Sequence, residues 1–282
     1  MAAVDFVLLF LSWAHVLISP YTKVEESFNL HATHDVFFHG VAKASLKQYD
    51  HFVFPGVVPR TFVGSVLLAW TTKVVSAPLI WLGLLNSKFD IQIMLRLILA
   101  SANTFAFSRE WRFVVYVVPV FNLAAANAFV WCSQRLPWTR VVRFALLATL
   151  VANAAVAGLL TMISNANYPG GDALTQANKM SRANVTMHIC NLAAQTGASL
   201  FLQEHSPPYL LDGMHFIGSQ WTYDKTEGDV DLRWYTHAIV EDFPPSKWST
   251  NATINAFDGL SKKGIRYLPK LWVITNPDAP GV

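Results

Sequence analysis

The chain has 282 residues, of which 53% are hydrophobic and 14% charged, with a formal net charge of +3. A soluble globular domain carries about 25% charged residues, so composition argues against a fully water-exposed fold, and disorder, collagen and coiled coil would each need more charge or a Gly/Pro repeat. No basic block appears, which argues against a nucleic-acid partner, and two cysteines, Cys132 and Cys190, are too few for a disulfide framework.

A helix needs roughly 20 mostly apolar residues to cross a bilayer core. Taken in chain order, the first candidate is residues 4–19, in which Phe6–Ser19 is uncharged. A cleaved signal peptide is the competing reading, but the segment lacks an N-terminal Lys or Arg and a clear small-residue cleavage site, which favours an anchor. Residues 61–85 are apolar apart from Lys73 and predict a second span. Residues 89–107 contain Asp90 and Arg96, so a span there competes with a re-entrant or interfacial helix. Residues 113–132 and 143–163 complete an expected set of five spans.

The connector after the fourth span holds Arg135, Arg140 and Arg143 without an acid. The positive-inside rule puts it in the cytosol. Counting outward then places the N-terminus in the cytosol, and 20–60, 108–112 and 164–282 on the lumenal side. The tail carries two glycosylation sequons, Asn184-Val185-Thr186 and Asn251-Ala252-Thr253, in agreement with that orientation. Residues 164–282 are more charged than the rest, with turn signals at Tyr168–Gly171, Pro207-Pro208 and Pro244-Pro245 and short mixed runs at Ser199–Leu202 and Leu271–Thr275. They predict a small α+β lumenal domain following a transmembrane domain of residues 1–163. The expected fold class is therefore an α-helical multi-pass membrane protein with an α+β C-terminal domain.

Chemistry is expected in the loop 20–60, which holds four acids, four bases and four histidines beside two membrane helices. A partly desolvated carboxylate at Glu25 or Glu26 could act as general base toward a hydroxyl. A structural alternative is that Thr22-x-x-Glu25 forms a capping box at the start of a helix. His31, His34 and Asp35 invite a metal reading, but no standard ligand spacing completes a site, so substrate hydrogen bonding or solvation is preferred and no metal is expected. Arg60, at the mouth of the second span, could grip a phosphate or simply anchor the helix end. Arg109, Glu110 and Arg112 form a second charged cluster on the lumenal side, where basic residues run against the positive-inside bias.

Pro20–Asp35 and Tyr49–Phe62 closely resemble the first lumenal loop of glycosyltransferase family 22. Asn167–Gly171, His188-Ile189, Ala193–Gly197, Trp221–Glu227 and Tyr235-Thr-His237 are similar to the C-terminal part of its members. The resemblance implies a GT-C fold and a mannosyltransferase of the endoplasmic reticulum membrane, acting in protein N-glycosylation. It implies dolichyl-phosphate mannose as donor, a dolichol-linked oligosaccharide as acceptor, membrane lipids as surroundings and no cofactor. It further implies an inverting transfer in α-1,6 linkage, adding the eighth mannose, with Glu25 or Glu26 as the catalytic carboxylate. Substrate contacts would come from Asn29, His34, Asp35, Tyr49, Asp50 and His51, with Arg60, Arg109, Glu110 and Arg112 as further candidates.

The chain also departs from the family. Residues 1–95 follow the family's opening and 110–282 its ending, while the middle, with its further spans, is absent. Ser108–Phe113 lacks the histidine of the corresponding family pattern, and Cys190 stands where an aspartate is common. These departures motivate an alternative expectation, a shortened, non-catalytic membrane protein that retains the lumenal domain as a binding or regulatory module.

Overall fold

A computed structural model describes residues 3–52, 61–105, 127, 128, 130, 131, 139–180, 184–210, 221–228, 230–261 and 264–278. Among these, two helical stretches are long and apolar enough to cross a membrane, Val63–Trp81 and Leu147–Asn165, and Leu9–Ile18 is a shorter apolar helix. Together with a mixed sheet in the C-terminal part, they fit a membrane glycosyltransferase. Most of the expected span 113–132 lies outside the described residues.

Helix α1, Ala3–Ile18, gives way at Ser19-Pro20, as a residue preceding proline is pushed out of the helical region. Helix α2, Val24–His39, follows at once, so much of the polar loop is helical. The capping box expected at its start is not formed. Lys23 occupies the N-cap without a side-chain hydrogen bond, and the buried Thr22 hydroxyl has no partner among the described residues. A reciprocal box occurs instead at α4, Lys88–Phe105, where the Asp90 N–H donates to Ser87 Oγ at 3.1 Å and the Ser87 N–H to Asp90 Oδ2 at 2.8 Å. Asp90 thus completes a helix start rather than interrupting a span.

Helix α3, Val63–Trp81, packs along α2 and explains its one charge through that contact. Lys73 Nζ donates to the Phe37 carbonyl at 3.3 Å, in the last turn of α2, where unpaired carbonyls favour a cation. Arg96 of α4 does the same for α1, with Nη1 donating to the Ser19 carbonyl at 2.6 Å. Charge inside apolar helices is used here to close the ends of neighbouring ones.

Helix α5 spans Thr139–Asn165 and α6 spans Pro169–Asn178. The Tyr168–Gly171 segment therefore opens a helix, with proline in its first turn, instead of forming a free turn. Strand β1 is Thr186–Ile189, followed by helix α7, Asn191–Gln195; then come β2, Thr222–Asp224, β3, His237–Val240, β4, Ser249–Ser261, and β5, Gly264–Thr275. They form one sheet in the order β2-β1-β3-β5-β4. β1 pairs parallel with β2 and β3, whereas β5 runs antiparallel to β3 and β4. Leu271–Thr275 lies in β5 as an extended run should, but Ser199–Leu202 forms a 3-10 turn.

Among the described residues, two of three hydrophobic clusters draw on both ends of the chain. Leu174, Met187, Ile189, Ile239 and Val273 pack between the sheet and α6, joined by Tyr21 with Phe89 against it. Leu30, Phe37, Ile91 and Leu95 pack between the N-terminal helices and enclose Phe201. Close approach of Tyr21 and of the Ala193 backbone accounts for two glycines. A Cβ on Gly171 would lie 2.4 Å from Tyr21 Cδ1, and one on Gly170 would lie 2.0 Å from the Ala193 carbonyl oxygen.

Candidate functional site

The C-terminal half of α2, the segment 40–52, the start of α4 and the stretch 200–208 line an open cavity of about 270 Å³. His34, Asp35, Tyr49 and Asp50, all sequence candidates, line it. Lys88, His39, Lys47 and Gln203 line it as well, with Leu200, Pro207 and Pro208 as an apolar wall. The C-terminal part of the chain is thus one side of a site whose other side is the polar loop.

Helical geometry and a short 3-10 turn, Asp50–Phe52, set the carboxylates. Asp35 is 1% exposed, accepts from the His51 N–H at Oδ2 over 3.3 Å, and places Oδ1 3.2 Å from His34 Nδ1. Burial pushes its carboxyl up to about 7, opposed by the His51 N–H bond. His34 is buried beside it and is held well below its ordinary range by loss of solvent, with Lys88 adding to the effect. Its ring lies 4.8 Å from Phe38 and 4.9 Å from Phe201, the latter edge to face.

Asp50 has the opposite surroundings. Lys225, in the segment just after β2, donates from Nζ to Asp50 Oδ1 at 2.9 Å and Oδ2 at 3.0 Å, and His31 Nδ1 lies 3.7 Å from Oδ2. Burial, and then the Lys225 charge, lower His31 to about 3, so it stands neutral next to the pair. Lys88 Nζ donates to the Ser206 carbonyl at 3.0 Å, and burial brings its ammonium down to about 8. The cavity therefore presents the Asp50 carboxyl group held by Lys225, the Asp35 carboxyl raised to about 7, a neutral His34 imidazole and a Lys88 ammonium lowered to about 8. Perturbed groups gathered in one cleft, Asp35, His34 and Lys88, suit hydroxyl recognition.

The remaining candidates fall elsewhere. Glu26 is 63% exposed on its side chain, and Arg96 Nη2 lies 3.9 Å from its Oε2; Glu26 and the exposed Asn29 do not line the cavity. The Tyr49 hydroxyl donates to the Gly40 carbonyl at 2.5 Å, and the His51 ring stacks edge-on against Phe62 at 5.0 Å. The Glu25 side chain, Arg60, Arg109, Glu110 and Arg112 lie outside the described residues. Asn184 is exposed at a positive φ of 56° before β1. Asn251 is exposed on β4, an edge strand, and its Oδ1 accepts from Thr275 Oγ1 at 2.6 Å. Among the described residues, no group of three or more His, Cys, Asp or Glu could hold a metal ion.

Lys88, Lys225 and Gln203 escaped sequence reasoning. Lys225 sits inside the Trp221–Glu227 motif, a signal that pointed to it without giving it a role. Lys88 and Gln203 carry no local signal, because each becomes part of the site through contacts between distant segments.

No family model matches the chain, and no solved structure matches it. Curated proteins do. The chain is 38% identical over 142 residues to the "Dol-P-Man:Man(7)GlcNAc(2)-PP-Dol alpha-1,6-mannosyltransferase" of Drosophila melanogaster, covering 47% of this chain and 19% of that protein. It is 41% identical over 111 residues to the Saccharomyces cerevisiae protein of the same name, covering 38% and 19%. The Arabidopsis thaliana protein of that name is 46% identical over 65 residues, covering 23% and 12%. These matches bear out the resemblance read from the loop and tail motifs, and the chain aligns with about a fifth or less of each relative's length.

Proposed function

We propose that this chain acts as an α-1,6-mannosyltransferase, moving mannose from dolichyl-phosphate mannose to the dolichol-linked oligosaccharide precursor of N-glycosylation. The observation that carries the reading is the 38% identity over 142 residues to a protein named for that transfer. The cavity lined by His34, Asp35 and Asp50 is compatible with it, because its groups suit a hydroxyl-rich substrate. In this reading the chain is a multi-pass protein of the endoplasmic reticulum membrane with five spans, and 20–60 and 164–282 lie in the lumen.

The transfer is a single displacement. Glu25 or Glu26 takes the proton of the acceptor 6-hydroxyl, and that oxygen forms a bond to C1 of the donor mannose. The bond from C1 to the phosphate oxygen breaks with its electron pair, so dolichyl phosphate leaves and the β configuration inverts to α. Arg60, Arg109 and Arg112 are the cations proposed to stabilise the leaving phosphate. Asn29, His34, Asp35, Tyr49, Asp50, His51 and Glu110 are proposed to contact substrate or to support the groups that do.

The test is complementation. Microsomes from a strain lacking the enzyme and expressing this chain should convert the seven-mannose lipid-linked oligosaccharide to the eight-mannose species. Continued accumulation of the seven-mannose species, with the chain present at normal level, would reject the activity and leave the non-catalytic alternative.

A further inference from the structure

One contact ties the sheet of the tail to the end of a helix fit to cross a bilayer. Helix α5 carries the apolar stretch Leu147–Asn165, none of which is buried by the described residues. The residue that follows the helix, Ala166, accepts at its carbonyl from the Phe257 N–H at 3.1 Å. Phe257 lies in the second half of β4, so the hairpin of β4 and β5 is hydrogen-bonded to the point where α5 ends.

At that level the hairpin is a two-stranded ribbon. β3 pairs with β5 only at Trp272–Thr275, and the rest of β5 has β4 as its one strand neighbour among the described residues. Tyr267 is the register partner of Phe257, and Leu268 that of Ala256. Their backbone therefore lies two strand spacings, about 10 Å, from Ala166. Tyr267 is 48% exposed and Leu268 42%. Successive residues of a strand point to opposite faces, so the ribbon offers an apolar side chain on each. Arg266 and Lys270 flank them and are exposed. Both share Asp258, with Arg266 Nη2 2.6 Å from Oδ2 and Lys270 Nζ 3.6 Å from Oδ1. Two cations on one carboxylate leave the ribbon with positive charge to spare.

We infer that this ribbon lies in the lumenal headgroup layer of the bilayer, with Tyr267 and Leu268 inserted and Arg266 and Lys270 facing lipid phosphates. The inference rests on the membrane reading of α5 proposed above and is independent of mannosyl transfer. Three features favour lipid as the occupant. The ribbon is bonded to the end of a helix whose sides no described residue covers, which sets it at the depth where headgroups begin. An apolar side chain on each face suits a medium that surrounds the ribbon, whereas a protein partner would cover one face. Tyrosine beside arginine and lysine matches the interface, where an amphipathic ring sits among headgroups and cations reach phosphates while their stems stay apolar. Seated there, the ribbon gives the tail a second hold on the membrane besides α5.

The test is photo-cross-linking of the full chain in phosphatidylcholine nanodiscs. Benzoylphenylalanine replaces Tyr267, Leu150 of α5 or Phe243, one position at a time, and lipid adducts are identified by mass spectrometry after irradiation. Leu150 is 59% exposed and Phe243, outside the ribbon, 85%, so these replacements leave the fold intact. We expect lipid adducts at 150 and 267 and none at 243. Adducts at 150 with none at 267, equal adducts at 243 and 267, or a cross-link from 267 to a second copy of the chain in place of lipid, overturns the ribbon's placement and leaves the span standing. No adduct at 150 removes the span and the placement with it. Leu268→Glu puts a charge where the ribbon enters the layer. It should cut the adduct at 267 severalfold while thermal unfolding in detergent stays at the wild-type value. An undiminished adduct in that variant would show that these side chains do not enter the bilayer.

Discussion

Replacing Asp35 by asparagine should make the protein more stable at alkaline pH, against the usual outcome of altering a buried polar side chain. Burial raises this carboxyl from 3.8 to about 7. A folded-state value above the unfolded one means that folding favours the protonated acid. The group's contribution is fully present below pH 3.8 and is lost as pH rises through about 7. The difference between the two values corresponds to about 4 kcal/mol as an upper figure, at 1.36 kcal/mol per unit, and on the order of 2 kcal/mol if the carboxylate recruits water. Asparagine reproduces the protonated form. Its oxygen can accept the His51 N–H that now reaches Oδ2 at 3.3 Å, and its amide can donate to His34 Nδ1 at 3.2 Å. The groups facing this position, His34 and His39 on α2, Lys47, Asp50 and His51 on the following segment and Lys88 on α4, remain in both proteins. His31 and His34, lowered by burial, oppose folding as pH falls below their ordinary 6.5, again in both. The difference between variant and wild type therefore isolates Asp35. Thermal unfolding by tryptophan fluorescence in nanodiscs, from pH 4 to 8.5, should show nearly equal stabilities at the acid end and a gap in the variant's favour that widens from about pH 4 and levels off above about pH 7. Parallel profiles across that window would refute the assignment of a perturbed carboxyl.

Lys225→Met should cost about 1–3 kcal/mol, because it strips the cation from an Asp50 that is 17% exposed. Asp50→Asn in the same chain should recover most of that loss, and simple additivity in the double-mutant cycle would show that the pair is not coupled. Gly171→Ala places a Cβ 2.4 Å from Tyr21 Cδ1 and should cost about 1–3 kcal/mol or prevent folding; wild-type unfolding would contradict the close approach. Glu26→Gln should change stability by no more than about 0.5 kcal/mol, given its exposure and its long 3.9 Å contact with Arg96. If Glu26 is the base, microsomal transfer falls by about 10²–10⁴-fold in a folded protein, and unchanged transfer removes it from the mechanism.

How much could be read in advance depended on how far apart the cooperating residues lie. The run 61–85 was legible because a long, mostly apolar stretch with only Lys73 charged needs no partner to declare itself, and α3 occupies Val63–Trp81 within it. Residues 89–107 were harder, since Asp90 and Arg96 read as obstacles to a span. Asp90 answers to Ser87, three residues away and visible as a motif, but Arg96 answers to a carbonyl 77 residues earlier. The site divides in the same way. His34 and Asp35 are adjacent in sequence and pair directly, whereas the Asp50 partner is 175 residues away. The wall at 200–208 supplies Gln203 and the Ser206 carbonyl that holds Lys88, and nothing local to it announces a partner 118 residues away.

The motifs that carry the resemblance sort by physical cause once they are placed. Tyr21 from the loop stacks on Phe89 at 5.6 Å and meets Gly171 and Gly197 from the tail at distances that leave no room for a side chain. Gln92 ties the same junction, donating to the Pro20 carbonyl at 3.0 Å and accepting from Ser199 Oγ at 2.5 Å. These residues weld the two ends into one body. That weld brings Lys225 to Asp50 and Gln203 to the cavity of His34. A substitution at the weld should therefore lower stability and loosen the contact of Lys225 with Asp50 together, because both depend on the same junction.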